Sequence, residues 1–168
     1  NKWLGSKSGQ GFYKKEGKII RVLDLNTLEY RDKKRSKFAT LELTKSIDNV
    51  IDRFKVLVDG KDKAGEFYRK NFAAMFAYVS NRIPEISEEL FKIDDAMKAG
   101  FGWEHGPFQI WDAVGVEKGL ALIKAEGLTA AQWVFDMVAS GNNSFYTIEN
   151  GATFAFDIST KKQLKIPG

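Results

Sequence analysis

The chain has 168 residues, 43% of them apolar, with 26 Lys/Arg, 22 Asp/Glu, one histidine and no cysteine. That length supports one or two modest domains with a real core, while the missing cysteines exclude a disulfide framework, a thiolate metal site and a cysteine nucleophile. No run approaches the roughly 20 apolar residues of a membrane span and no basic-then-apolar leader opens the chain. A cytoplasmic setting is therefore expected, and the start on Asn1-Lys2-Trp3 without Met suggests a piece of something longer.

The positive charge is concentrated at the front. Residues 1–37 hold 11 Lys/Arg and 4 Asp/Glu, against 15 and 18 in the remainder. Within that segment, Gly5, Gly9 and Gly11 fit neither a P-loop nor a dinucleotide fingerprint. Gly17-Lys18 can turn the chain into Ile19 to Leu25 and Thr27 to Tyr30, whose β-branched and aromatic residues predict short strands or a hairpin. Lys33-Lys34-Arg35-Ser36-Lys37 could meet phosphates, but no aromatics are interleaved as stacking platforms, so a solvated linker is the better reading and no nucleic-acid partner is expected.

Helices follow. Leu43, Ile47, Val50, Ile51, Phe54 and Val58 recur at spacings of 3 and 4, which predicts one helix from 43 to 58. Asp62 can cap the next, to about Arg82, with Phe72, Met75, Phe76, Val79 and Ile83 inward until Pro84 breaks it. Ser87 is an N-cap for a third, reaching Ala99 with Leu90, Ile93 and Met97 inward, and Gly100 suits the left-handed position that stops it. Phe101 to His105 cross over, Gly106-Pro107 open a short helix to Val114, Gly115 closes it, and Glu117 to Ala125 follow. Thr129-Ala-Ala-Gln132 has the form of a capping box for a last helix ending near Ser140-Gly141. Finally, Asn150-Gly151 between Ser144–Glu149 and Ala152–Ile158 predicts a β-hairpin, and Ser159 to Gly168 a linker. The domains so read are 1–37, 38–143 and 144–168.

Candidate chemistry gathers at the 94–115 corner. Phe101, Trp103, Phe108 and Trp111 can wall a pocket or cement two helices. His105, as a general base, would need Glu104 or Asp112 to orient it, and adjacent side chains point in different directions. The Asp94-Asp95 pair diverges by about 100° on a helix, so a solvated pair is favoured over a cation site, and no metal is expected. Asp112 can bond neighbouring N–H groups or a ligand.

The spacing of Asp94/Asp95, Ala96, Met97, Gly100, Gly102, Gly106, Pro107, Phe108, Asp112 and Gly115 resembles the helix–crossover–helix signature of the 3-hydroxyacyl-CoA dehydrogenase C-terminal domain. Leu4-Gly5 through Gly9-Gln10-Gly11-Phe12-Tyr13 resembles the motif that ends such a domain. The resemblance implies a mainly α fold like the 6-phosphogluconate dehydrogenase C-terminal domain, with short hairpins near both ends. It implies an oxidoreductase of fatty-acid β-oxidation in which NAD binds a separate dinucleotide domain, with the catalytic His–Glu pair there and none in this chain. A closing motif ahead of the domain it should close implies tandem helical repeats, this being the second. Its expected partners are the dinucleotide domain, the first helical repeat, the acyl-CoA substrate and, in a simple dimer, a second copy. Phe101, Trp103, His105, Phe108 and Trp111 are the expected acyl-CoA contacts, with the Gly100, Gly102, Gly106, Pro107, Asp112 and Gly115 set structural. Asn81-Arg82 lies at the wrong end of its helix for the family's substrate-holding Asn. Two alternatives stay open from the residues: a free-standing acyl-CoA or nucleic-acid binding module, and an enzyme using His105.

Overall fold

The computed structural model describes residues 2–34 and 36–167; Arg35, in the basic run, lies outside them. The chain divides into two compact units, Asn1–Lys37 and Phe38–Gly168.

In the first unit a 3-10 turn at Ser6–Ser8 leads into an antiparallel meander of β1 (Tyr13–Glu16), β2 (Ile19–Leu23) and β3 (Tyr30–Asp32). Gly17 sits first in the two-residue β1–β2 turn at φ 62°, a conformation that costs glycine nothing. Asp24 shapes the next turn: its carboxylate accepts from the Asn26 and Thr27 N–H groups at 3.0 and 3.4 Å, and Leu28 takes φ 58°. The hairpin predicted from 19 to 30 is thus a three-stranded sheet that also uses residues 13–16.

Seven helices and a second meander form the other unit. They are α1 (Ala39–Thr44), α2 (Val50–Asp59), α3 (Lys63–Asn81), α4 (Leu90–Phe101), α5 (Pro107–Val114), α6 (Val116–Ala125) and α7 (Gln132–Ala139), then β4 (Tyr146–Glu149), β5 (Ala152–Asp157) and β6 (Lys162–Lys165). The protein is mainly helical, with an antiparallel sheet near each end. No described helix is long and apolar enough to cross a membrane.

Five local expectations change. Ser87 does not cap α4: the N-cap is Glu89, which offers no side-chain bond, and Ser87 Oγ accepts from Glu89 N–H at 3.1 Å. The single helix predicted over 43–58 is two, because the Asn49 side chain accepts from the Ile51 and Asp52 N–H groups and starts α2 afresh, leaving Leu43 exposed. Gly100 does not stop α4; the helix runs to Phe101 and Gly102 takes the left-handed conformation at φ 65°. Thr129 does not cap α7. Ser80, from the end of α3, instead anchors the segment that enters α7: its Oγ accepts from Ala131 N–H at 3.1 Å, and its carbonyl from Trp133 Nε1 at 3.0 Å. Lys162–Lys165, expected as linker, adds a third strand to the hairpin.

Asp62 caps α3 as expected, accepting from Gly65 N–H, and also accepts from Thr40 N–H, tying α1 to α3; those donors hold its carboxyl down at about 2. Helix α3 packs against α2, α5 and α6, and α4 against α5 and β5. Phe72, Phe76, Phe108, Trp111, Val134, Met137, Phe145 and Phe156 are buried together. Phe76 and Trp111 stack at 4.7 Å and 9°, Phe108 and Trp111 at 6.5 Å and 8°. These aromatics supply large apolar area from few residues.

Candidate functional site

The α4–α5 corner is built around two carboxylates. A helix beginning at Pro107 needs acceptors for its first free N–H groups, and Gly106, its N-cap, has no side chain to offer. Asp94, one helix earlier, supplies both: Oδ1 accepts from Phe108 N–H at 2.9 Å and Oδ2 from Gln109 N–H at 3.0 Å. Gln109 returns the arrangement through Oε1, which accepts from Gly106 N–H at 2.9 Å. A Cβ at position 106 would stand 2.3 Å from Asp94 Cβ and Cγ, so glycine here is a requirement of close approach. Far from being solvated, Asp94 is 1% exposed, while Asp95 is exposed and pairs with Lys98 at 2.8 Å.

Asp112 performs the matching task on the sheet. Its two oxygens accept from the Phe145 and Tyr146 N–H groups, each at 2.8 Å, fixing where β4 begins. Tyr146 O–H then donates to Asp94 Oδ2 at 2.9 Å. Tyr146 is therefore held by its main chain to one acid and by its side chain to the other. Burial pushes Asp94 up to about 6, against the Phe108, Tyr146 and Gln109 donors and Lys98 that favour its ionised form. Burial likewise pushes Asp112 up to about 7, with Asp94's charge adding to the rise, and burial with the neighbouring acids raises the Tyr146 phenol. Tyr146 escaped the sequence reading. Its signal was available, because the Phe145-Tyr146 pair repeats Phe12-Tyr13.

The five expected acyl-CoA contacts do not share a surface. Phe108 and Trp111 are fully buried, Trp111 donating its Nε1 hydrogen to Val116 carbonyl at 3.1 Å. Phe101 and Trp103 are exposed, with their rings 6.3 Å apart. His105 Nε2 lies 3.9 Å from Glu104 Oε1, beyond hydrogen-bonding distance, and Asp112 is committed to β4. Open clefts among the described residues lie elsewhere in this unit. One of about 440 Å³ runs between α3 and α4 past Tyr78, Arg82, Ile86, Ile93 and Met97. Another of about 520 Å³ is lined by Ile83, Pro84, Trp133 and Ile158. Of the structural set, Pro107 and Gly115 close the two ends of α5.

No described group of three or more His, Cys, Asp or Glu residues is arranged to hold a metal. Nor do Gly5, Gly9 and Gly11 form a dinucleotide fingerprint. Gly5, Gly9 and Gly11 surround a 3-10 turn bridged between Gly5 and Gln10, and lead into strand β1 where a pyrophosphate would need a helix N-terminus.

Residues 71–147 match the family described as 3-hydroxyacyl-CoA dehydrogenase, C-terminal domain. A Bacillus subtilis protein named "Probable 3-hydroxyacyl-CoA dehydrogenase" is 38% identical over 163 residues, covering 97% of this chain and 21% of that protein. Two proteins named "Putative fatty acid oxidation complex trifunctional enzyme" also match. The one from Rickettsia felis is 25% identical over 65% of this chain and 14% of its own length, and the one from Rickettsia prowazekii 24% over 71% and 16%. The chain thus spans a fifth or less of the length of most of these relatives, 21% at the highest. No solved structure matches it at comparable significance. The α4–α5 corner lies inside the matched span, so residues 71–147 carry the likeness to the 3-hydroxyacyl-CoA dehydrogenase C-terminal domain.

Proposed function

We propose that the chain is part of a longer NAD-dependent 3-hydroxyacyl-CoA dehydrogenase of fatty-acid β-oxidation, and that its helical domain is the second of two repeats, with a structural role. In this reading it completes a pseudo-dimeric helical core beside the first repeat. NAD and the catalytic pair belong to a dinucleotide-binding domain elsewhere in the polypeptide, in the cytoplasm. Residues 1–37 are the tail of the preceding repeat with its linker, 38–143 the helical domain, and 144–168 its closing sheet.

The observation that carries this is how the motif's polar groups are used. Asp94, Asp112 and Tyr146 bond to one another's segments and to backbone N–H groups, so the motif builds the corner rather than meeting substrate. Among the aromatic contacts proposed for the acyl chain, Phe101 and Trp103 have the exposure to serve, whereas Phe108 and Trp111 support them from the core. The test compares acetoacetyl-CoA-dependent NADH oxidation by the purified 168-residue chain and by its full-length parent. Turnover is expected from the parent only; turnover by the isolated chain would sink the structural reading.

A further inference from the structure

The two Phe-Tyr pairs stand 133 positions apart, and the residues after them keep that offset without a gap: Phe12 and Phe145, Tyr13 and Tyr146, Glu16 and Glu149, Asp24 and Asp157, Thr27 and Thr160. Backbone geometry keeps the same offset. Tyr13 pairs with Val22 and Arg21 with Asp32; Tyr146 pairs with Ala155 and Phe154 with Lys165. Leu23 N–H donates to Phe12 carbonyl at 2.9 Å, and Phe156 N–H to Phe145 carbonyl at 2.8 Å. Leu28 and Lys161 both take left-handed φ, 58° and 57°. Asp24 accepts from Thr27 N–H and Asp157 from Thr160 N–H. A generic three-stranded meander needs neither a shared left-handed residue nor a shared Asp-x-x-Thr turn, so the two sheets are copies of one element.

Their surroundings differ. Phe145 is fully buried, with the rings of Phe108, Trp111 and Trp133 at 5.0, 5.0 and 5.8 Å, and Asp112 and Asp94 hold the strand start and the phenol. Phe12 and Tyr13 are 70% and 61% exposed. Thirty-seven residues are too few to bury a core of their own. The corresponding cradle in Phe38–Gly168 is already filled by β4–β6.

We propose that β1–β3 is the closing sheet of another helical unit of the same kind, preceding this chain in the parent polypeptide, and that Phe12 and Tyr13 are its docking residues. The partner surface is an aromatic slot for Phe12 and two buried carboxylates, one accepting the Tyr13 O–H and the other the N–H groups of Phe12 and Tyr13. The concentration of Lys and Arg in residues 1–37 complements such an acidic cradle. This deepens the tandem-repeat reading and rests on it.

The experiment places p-benzoylphenylalanine at position 12 of the full-length parent, irradiates it and maps the cross-link by mass spectrometry. A cross-link within the same polypeptide, upstream of Asn1 and on helices carrying two acids spaced as Asp94 and Asp112 are, is the expected result. Cross-links into Phe38–Gly168, cross-links to a second copy, or none at all would overturn the proposal while leaving the dehydrogenase reading intact; a parent with no helical segment upstream would overturn both. A second measurement checks the phenol. Tyr13→Phe is expected to leave the melting temperature of the 168-residue chain unchanged and to lower that of the parent's helical core by about 5 °C. An equal effect in both, or in neither, would overturn the assignment of a carboxylate to Tyr13.

Discussion

Phe12 and Phe145 open strands with the same register, the same turn lengths and the same Asp-capped second turn, yet one side chain lies in solvent and the other in the tightest part of the core. The comparison separates two contributions that a single sheet would mix. Turn chemistry and strand propensity make the meander, and they act in both copies. Burial, with the two carboxylates that align Tyr146, comes from helices, and among the described contacts it is visible for β4–β6 alone.

The largest expected contrast is between Phe145→Ala and Phe12→Ala. Removing a fully buried ring costs about 4 kcal/mol, whereas the exposed copy costs within about 0.5 kcal/mol in this chain; chemical denaturation of the two variants reads both. Comparable losses would mean that β1–β3 already has its partner within the 168 residues.

Next in size is Asp94→Ala, which leaves the Phe108 N–H, Gln109 N–H and Tyr146 O–H donors without their acceptor and costs about 3 kcal/mol. Its pH dependence has a definite sign. The folded pKa values of Asp94 and Asp112, about 6 and about 7, lie above the ordinary 3.8, so the folded state holds these protons more tightly than the unfolded state. Their contribution is full below about pH 4 and declines as pH rises through 6 and 7. The cost of Asp94→Ala is therefore greater at pH 5 than at pH 8 when melting curves are compared. In the turns the sign reverses: Asp24 is held low by Asn26 and Arg31 among its donors, and Asp157 by Thr160 and Ser159, so what they contribute is lost as pH falls.

Tyr146→Phe removes one hydrogen bond to a carboxylate and costs about 2 kcal/mol, against no measurable change for Tyr13→Phe in this chain. The smallest contrast is expected to be no contrast. Gly17→Ala and Gly151→Ala each force a side chain into positive φ, 62° and 79°, at about 1 kcal/mol of local strain. Gly17 stands first and Gly151 second in their two-residue turns, and hydrogen exchange of the β1–β2 and β4–β5 turns should report both substitutions as local loosening; a global loss of protection would mean that the strain is not confined to the turn.

Much of the fold was legible where the causes are local. Asn150-Gly151, both at positive φ, makes its hairpin turn whatever surrounds it. Asp62 and Pro107 mark helix starts because the groups they satisfy or lack lie within one turn. The break at 45–49 was missed because the apolar spacing continues across it and only Asn49's cap interrupts it. At the candidate site, the spacing from Asp94 to Gly115 was readable as a family pattern, but the placement of its aromatics was not: periodicity gives a side chain's direction on its helix, not what stands opposite.

Helix and strand identity, the turns and the caps at Asn49 and Asp62 were decided by chemistry between residues a few positions apart. Only the folded chain decided that Asp94 caps a helix 14 residues away, that Asp112 fixes a strand 33 residues away, and that one of two equivalent sheets is buried. Those roles depend on which acceptors face which free N–H groups once the helices pack, and desolvation at that packed corner sets both their energy and their pH response.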